Sequence, residues 1–181
     1  GTVERISPEA PVPVLNSTKR ENRLGGAANV ALNLRELGAI PILCSVVGKD
    51  EKSGTFHQLL LDAGMPTKGI IEDSSRITTT KIRIISGNHH LLRVDHETSE
   101  PLERKICNTF TRNTESIIRN GNIGAVIFQD YDKGVISKEL IDAVTSLANE
   151  LNIPTLLDKK KLNFIHYKNV KLFKPNFKKL K

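Results

Sequence analysis

The 181-residue chain has no tryptophan, one methionine and few other aromatics, which together make up 4% of it. A core built from such a chain is aliphatic, drawn from the 38% of residues that are hydrophobic. No run approaches the roughly 20 apolar residues that a membrane-spanning helix needs. The first 15 residues mix acids and prolines and lack the apolar stretch of a secretory leader. Cys44 and Cys107 are the only cysteines, and their separation fits neither a metal nor a redox motif. They read as reduced thiols, which suits a cytoplasmic protein. The histidines exclude a metal site in the same way. His89 and His90 are adjacent, so on a strand they face opposite ways, and His57, His96 and His166 add no ligand spacing.

The formal net charge of +7 is confined to one end. Residues 159–181 hold nine lysines, no arginine and no acid, so the rest of the chain carries a formal −2. A nucleic-acid surface usually adds arginine and stacking aromatics to its lysines. Charge alone supports only non-specific attraction. We therefore expect no nucleic-acid partner and no membrane partner.

What the chain does have begins with Leu24-Gly25-Gly26-Ala27-Ala28-Asn29-Val30-Ala31. Two glycines sit just before a helical run, Ala28 to Leu37, that closes at Gly38, and the first helix is expected over 26–37. Adjacent glycines allow a sharp turn and a close approach to a ligand. The helix behind them points its first N–H groups at that ligand. Asn29, in the first turn, is in reach of sugar hydroxyls. The plainer alternative is a loop before a helix, because short glycine motifs are common. Before this turn, Pro8, Pro11 and Pro13 exclude a helix and leave an edge strand or extended segment near 12–15. A polar strand is expected over 18–23.

Further on, residues 40–47 form an apolar run expected to be a doubly buried strand. A helix over 51–63 is expected, with Asp50 as its cap and Gly64 as its stop. Residues 78–97 read as a hairpin with its turn at Ser86-Gly87-Asn88. Lys81 and Arg83 share a face of it, as do Arg93 and Asp95. Such a face suits a phosphorylated ligand, or equally ordinary cross-strand ion pairs. Helices over 100–120 and 137–151 alternate with strands over 124–128, 153–157 and 170–173, which predicts a parallel sheet covered by helices. In such sheets ligands bind beyond the carboxyl ends of the strands. Those ends are followed by Gln129, Asp130 and Lys133, by Asp158, Lys159 and Lys160, and by Lys174, Pro175 and Asn176. Each set suits phosphate or Mg²⁺, although loop solubility and helix capping account for any one of them.

Several segments together carry a family resemblance: Arg5-Ile6-Ser7-Pro8-Glu9-Ala10-Pro11-Val12-Pro13, the glycine turn, Asn88-His89-His90-Leu91-Leu92-Arg93-Val94-Asp95, and Asp130-Tyr131-Asp132-Lys133-Gly134. The chain resembles the ribokinase-like (PfkB) carbohydrate kinases over nearly all of residues 3–177. The nearest branch is the kinase that phosphorylates D-glycero-D-manno-heptose 7-phosphate in lipopolysaccharide-core synthesis. The resemblance implies a three-layer α/β sandwich with a mostly parallel sheet and a small β lid. The lid would comprise 1–24 and 76–97, and the core 25–75 and 98–181.

By the same resemblance Gly25, Gly26 and Asn29 hold the sugar. Lys81, Arg83, Asn88 and Arg93 face it from the lid and meet its phosphate, and Asp130 lies nearby. Lys133, Asp158, Lys160 and Asn176 belong to the nucleotide side. ATP and Mg²⁺ are the implied cofactors, and a homodimer through the lid is the implied assembly. A member of another PfkB branch, or a non-catalytic sugar-phosphate-binding module, is the alternative. The chain departs from the family pattern at His89-His90, where Gln-Gln is usual, at Lys159, where proline is usual, and at Lys179, where the N-x-x-E motif has glutamate. It holds no G-A-G-D segment, which carries the family's catalytic base, and no aspartate-bearing first strand. We therefore expect most of a sugar site, little of an ATP site, exposed apolar surface and no turnover by these 181 residues alone.

Overall fold

The computed structural model describes residues 1–159, 166–168 and 170–174, with the side chains of Glu4 and Lys159 left out. Val46 and Val47 explain its layering. Adjacent residues on a strand face opposite ways, and both valines are buried, each in a different core. They lie on β3 (Ser45–Gly48), which pairs in parallel with β4 (Ile70–Asp73). Val47 joins Ala28 and Ala31 of α1 (Gly26–Glu36) and Leu60 of α2 (Glu51–Asp62). Val46 joins Phe110 and Ile118 of α3 (Arg104–Asn120) and Leu140, Ile141, Val144 and Leu147 of α4 (Lys138–Glu150). One helix pair thus covers each face of the strand.

The second core also takes Phe128 of β7 (Val126–Asp130) and Leu157 of β8 (Thr155–Lys159), which pair in parallel. The short β9 (Leu172–Phe173) continues that sheet beside β8. Two antiparallel pairs stand apart from the parallel strands. They are β1 (Thr2–Ile6) with β2 (Pro13–Asn16), and the hairpin β5 (Thr80–Ser86) with β6 (His89–His96). The amino group of Gly1 reaches Ile85 O at 3.2 Å. No helix among the described residues is long and apolar enough to cross a membrane.

Local chemistry sets the element ends. Asp50 caps α2 by accepting from Ser53 N–H at 2.9 Å, and Ser137 caps α4 by accepting from Leu140 N–H at 3.2 Å. Met65 N–H closes the end of α2 on Leu60 O, and Ala39 N–H closes the end of α1 on Leu34 O. On α3 the buried positions Phe110, Thr114 and Ile118 recur every four residues, the period of a single helix face.

The structure corrects several expected strands. The run over 40–47 is a strand only at Ser45–Gly48, because β4 offers a four-residue ladder, and Ile40 is 90% exposed. Residues 18–23 form no strand, since Glu21 pairs locally with Lys19 and Arg23 instead of joining a ladder. The β7 and β8 strands lie two residues later than expected, in the register Val126↔Thr155 to Asp130↔Lys159. Gln129 and Asp130 therefore close β7, and Asp158 and Lys159 close β8, rather than opening the loops that follow.

Candidate functional site

The glycine turn and the loop after β7 meet at Tyr131. Gly25 is extended and caps α1 without a side chain, while Gly26 has φ +54°, in the left-handed region that favours glycine. A Cβ on Gly26 would stand 3.6 Å from the Tyr131 ring, so the turn packs on that ring. Burial, and then the neighbouring Asp158 carboxylate, push the Tyr131 hydroxyl above the usual tyrosine range. Asp158 Oδ2 also accepts from Gln129 Nε2 at 3.3 Å. Asn29 is exposed on the first turn of α1. Gly25, Gly26, Asn29, Tyr131 and Asp158 thus share one end of the fold, at the carboxyl ends of β7 and β8.

Asp130 is 4% exposed and faces inward. The Tyr167 hydroxyl donates to its Oδ2 at 3.0 Å, and Asp132 N–H donates to its Oδ1 at 2.9 Å. Tyr167 in turn lies edge-on to Phe128, with ring centroids 5.3 Å apart. Burial, and then the Asp130 charge, hold the Tyr167 hydroxyl protonated well above the usual range.

Lys133 reaches the hairpin. Its ammonium lies 2.6 Å from Glu97 Oε1, while Glu97 Oε2 lies 2.8 Å from Lys81 Nζ. Lys81 also pairs with Asp95 at 2.8 Å, and Asp95 with Arg93 Nε at 3.0 Å. Charges alternate along this line, from Arg93 on the hairpin to Lys133 on the loop. Lys81 is therefore engaged by two carboxylates, whereas Arg83 has no ion pair among the described residues. Arg83 stands directly across the ladder from Arg93. Asn88 is exposed in the two-residue turn, beside Gly87 at φ +54°.

The main chain of the same loop is tied down separately. Arg76 donates to Glu100 O at 2.8 Å and to Lys133 O at 2.7 Å. Leu102 N–H donates to Gly134 O at 3.2 Å. Gly134 has φ +71°, and a Cβ there would lie 1.9 Å from Glu100 O. Position 134 thus admits only glycine, on conformation and on space alike. At the other root of the hairpin, Thr78 N–H donates to Asp50 Oδ2 at 2.8 Å, and Gly48 N–H donates to Thr78 Oγ1 at 3.0 Å.

The carboxyl-end positions and the hairpin cations are thus linked through one loop. Lys160 and Asn176 lie outside the described residues. Among the described residues no three His, Cys, Asp or Glu side chains converge. A groove of about 280 Å³ lined by Asn149, Asn152, Pro154, Thr155 and Lys171 lies at the amino end of β8, away from these groups. Sequence reasoning missed Glu97, Arg76 and Tyr167. Strand alternation places Glu97 on the face of Arg93 and Asp95 and so offered a signal. Arg76 and Tyr167 act across 57 and 37 residues of chain, where no local pattern reports.

Parallel strands, in the sets β3-β4 and β7-β8-β9, packed with two helix pairs, with polar groups at their carboxyl ends and a separate hairpin beside them, are the ribokinase-like arrangement. Phosphofructokinase-2 from Escherichia coli superimposes with a TM-score of 0.64 at 18% identity, covering 99% of this chain and 57% of that one. A possible 1-phosphofructokinase from Thermotoga maritima gives 0.61 at 16% identity, covering 91% and 54%. These likenesses establish the fold. The chain belongs to the pfkB family of carbohydrate kinases, which it matches over residues 1–181. It is 41% identical over 180 residues to the bifunctional protein HldE of Helicobacter pylori strain 26695, and 38% identical over 182 residues to that of Geobacter metallireducens. Those matches take in 97% and 98% of this chain but 38% and 36% of the relatives' own length.

Proposed function

We propose that this chain forms the sugar-phosphate side of a carbohydrate kinase whose substrate is D-glycero-D-manno-heptose 7-phosphate. The reaction is transfer of the γ-phosphoryl group of ATP, with Mg²⁺, to the C1 hydroxyl, giving the 1,7-bisphosphate and ADP. The observation that carries the reading is the Arg83–Arg93 pair. Like charges directly opposite on a ladder repel. Arg93 shares Asp95 with Lys81, and Arg83 has no ion pair among the described residues. A dianionic phosphate laid across both guanidinium groups removes that repulsion and gains charge-assisted hydrogen bonds. Kinship with HldE proteins and the Arg5–Pro13 segment favour the heptose over other sugars.

In this reading 1–24 and 76–97 form a lid over a core of 25–75 and 98–181. Gly25, Gly26 and Asn29 hold the sugar ring, and Asn88 adds an amide from the hairpin tip. Lys81 orders the lid through its two carboxylates. Asp130 acts from beneath by fixing the loop that carries Lys133. Lys133 and Asp158, with Lys160 and Asn176, face the nucleotide phosphates. Kinase catalysis is largely positioning and charge neutralisation, and these residues supply the sugar half of it. Such an enzyme works where ATP and a free sugar phosphate meet, so the reading carries a cytoplasmic location. The apolar side of the hairpin, with Ile82 and Leu92 exposed, is proposed to meet a second copy of the lid, which sedimentation of the purified chain would test.

A calorimetric titration of this chain with the heptose phosphate, without ATP and with ribose 5-phosphate as control, tests the reading. Selective binding that weakens at least tenfold in Arg83→Met supports it. Equal binding of both sugars points to another branch of the family. No binding by a folded chain overturns it for these residues.

A further inference from the structure

We propose that Glu97 is a positioning residue that locks the hairpin to the loop carrying Lys133. The proposal rests on the sugar-phosphate reading for what the lock serves, but not for the lock itself. Its carboxylate has two oxygens, and each holds a lysine from a different element: Oε2 holds Lys81 of β5 at 2.8 Å, and Oε1 holds Lys133 of the β7 loop at 2.6 Å. No other carboxylate among the described residues joins the hairpin to that loop through side chains. The Lys133 and Glu97 side chains are each 24% exposed, so the pair is screened less than a free surface pair.

Three geometric facts make the contact a lock. Glu97 directly follows β6, so it sits at the root about which the hairpin would pivot. Arg76 holds the carbonyl of the same Lys133, leaving the lysine side chain as the adjustable part. The line Arg93–Asp95–Lys81–Glu97–Lys133 then carries any displacement of Arg93, one of the two proposed phosphate-binding arginines, down to the loop. The charged groups around Glu97 are Lys81 from β5, Lys133 from the loop, and Asp95 and Arg93 behind Lys81. The cations prevail. Lys133 foremost, then Lys81, hold the Glu97 carboxyl below the usual glutamate range, against the opposing effect of burial.

Hydrogen exchange on the intact chain tests the lock without any ligand. Glu97→Gln should speed exchange of residues 80–86 and of residues 131–134 together, by about three- to tenfold. Lys133→Met should do the same, the double variant should add little, and Lys133→Arg should restore protection. Asp142→Asn, which breaks the helical pair with Lys138, should act only on its own turn. The coupling should also fade in acid, once pH has fallen below the usual glutamate range and Glu97 takes up a proton. That pH profile is one a merely structural side chain would not produce. Changes confined to residues 95–98, or strictly additive ones, overturn the proposal. The heptose phosphate titration separates the two claims. Coupled exchange with no sugar binding leaves the lock standing and removes its purpose. Sugar binding with uncoupled exchange removes the lock alone.

Discussion

The loop after β3 and the loop after β7 both leave the carboxyl end of a parallel strand, and both hold a root of the same hairpin. They hold it differently. Gly48-Lys49-Asp50 grips Thr78 with two hydrogen bonds of 2.8 and 3.0 Å that involve the main chain. Asp130–Gly134 grips the other root through a lysine–carboxylate pair, an arginine spanning two carbonyls and a close backbone crossing. The first loop is closed on itself, with its acid spent on capping α2 and on Thr78. The second has side chains that reach outward. A fixed anchor beside an adjustable one is what a hinged cover over a ligand requires.

The contrast is broken most severely at Gly134. An alanine Cβ would collide with Glu100 O, and φ +71° disfavours any L side chain. Overpacking costs about 1–3 kcal/mol and the left-handed backbone a further 1–2. Gly134→Ala should therefore lose about 2–5 kcal/mol in urea unfolding. A change under about 1 kcal/mol would mean that the crossing over Glu100 can open freely.

Tyr167→Phe tests the buried support of the second loop. It removes the hydroxyl that donates to Asp130 Oδ2 and leaves the edge-on packing against Phe128 in place. A hydrogen bond to a charged group contributes about 1.5–3 kcal/mol. A loss of about 2 kcal/mol is expected in thermal or urea unfolding, together with faster exchange at residues 131–134. An unchanged stability would mean that the Asp130 charge is satisfied without Tyr167.

Much of this was legible in the sequence, and what was not has physical causes. Helices α1, α2 and α4 could be read because their caps and stops are local (Asp50, Ser137, Gly38 and Gly64), whereas α3, which has no side-chain cap, was readable only from the spacing of its apolar positions and begins at Arg104, four residues later than expected. The hairpin could be read from its β-branched run and the turn chemistry of Ser86-Gly87-Asn88. Residues 40–44 misled because an apolar run is not by itself a strand: a strand needs a ladder partner, and β4 supplies one only from Ser45 onward. The two-residue shift of β7 and β8 is set by their pairing with each other, which no single segment encodes. Within the site, residue types and faces were readable, but ion-pair allegiance was not. Lys81 and Arg83 look equivalent in sequence. Only the fold gives Lys81 two carboxylates and Arg83 none among the described residues.

The smallest effect distinguishes the loops by their response to pH. Burial raises the proton affinity of Asp50, but hydrogen bonds from Thr78, together with those from Ser53 and Lys52, outweigh it and hold the carboxyl below the usual aspartate range. A folded-state value below the unfolded one adds stability above the unfolded pKa of about 3.9 and loses it as pH falls through the folded value. Asp50→Asn keeps the shape and one acceptor, yet it cannot accept from both Ser53 N–H and Thr78 N–H. The variant should be less stable by about 1 kcal/mol at pH 7, the usual scale of a lost cap. That gap should hold down to about pH 4 and close below it, because the protonated aspartic acid has the same shortage of acceptors as asparagine. A gap that persists at pH 2 would mean that the charge contributes nothing and that the amide fits badly. The first loop would then hold its root by shape alone, and the contrast with the ion-paired second loop would be sharper still.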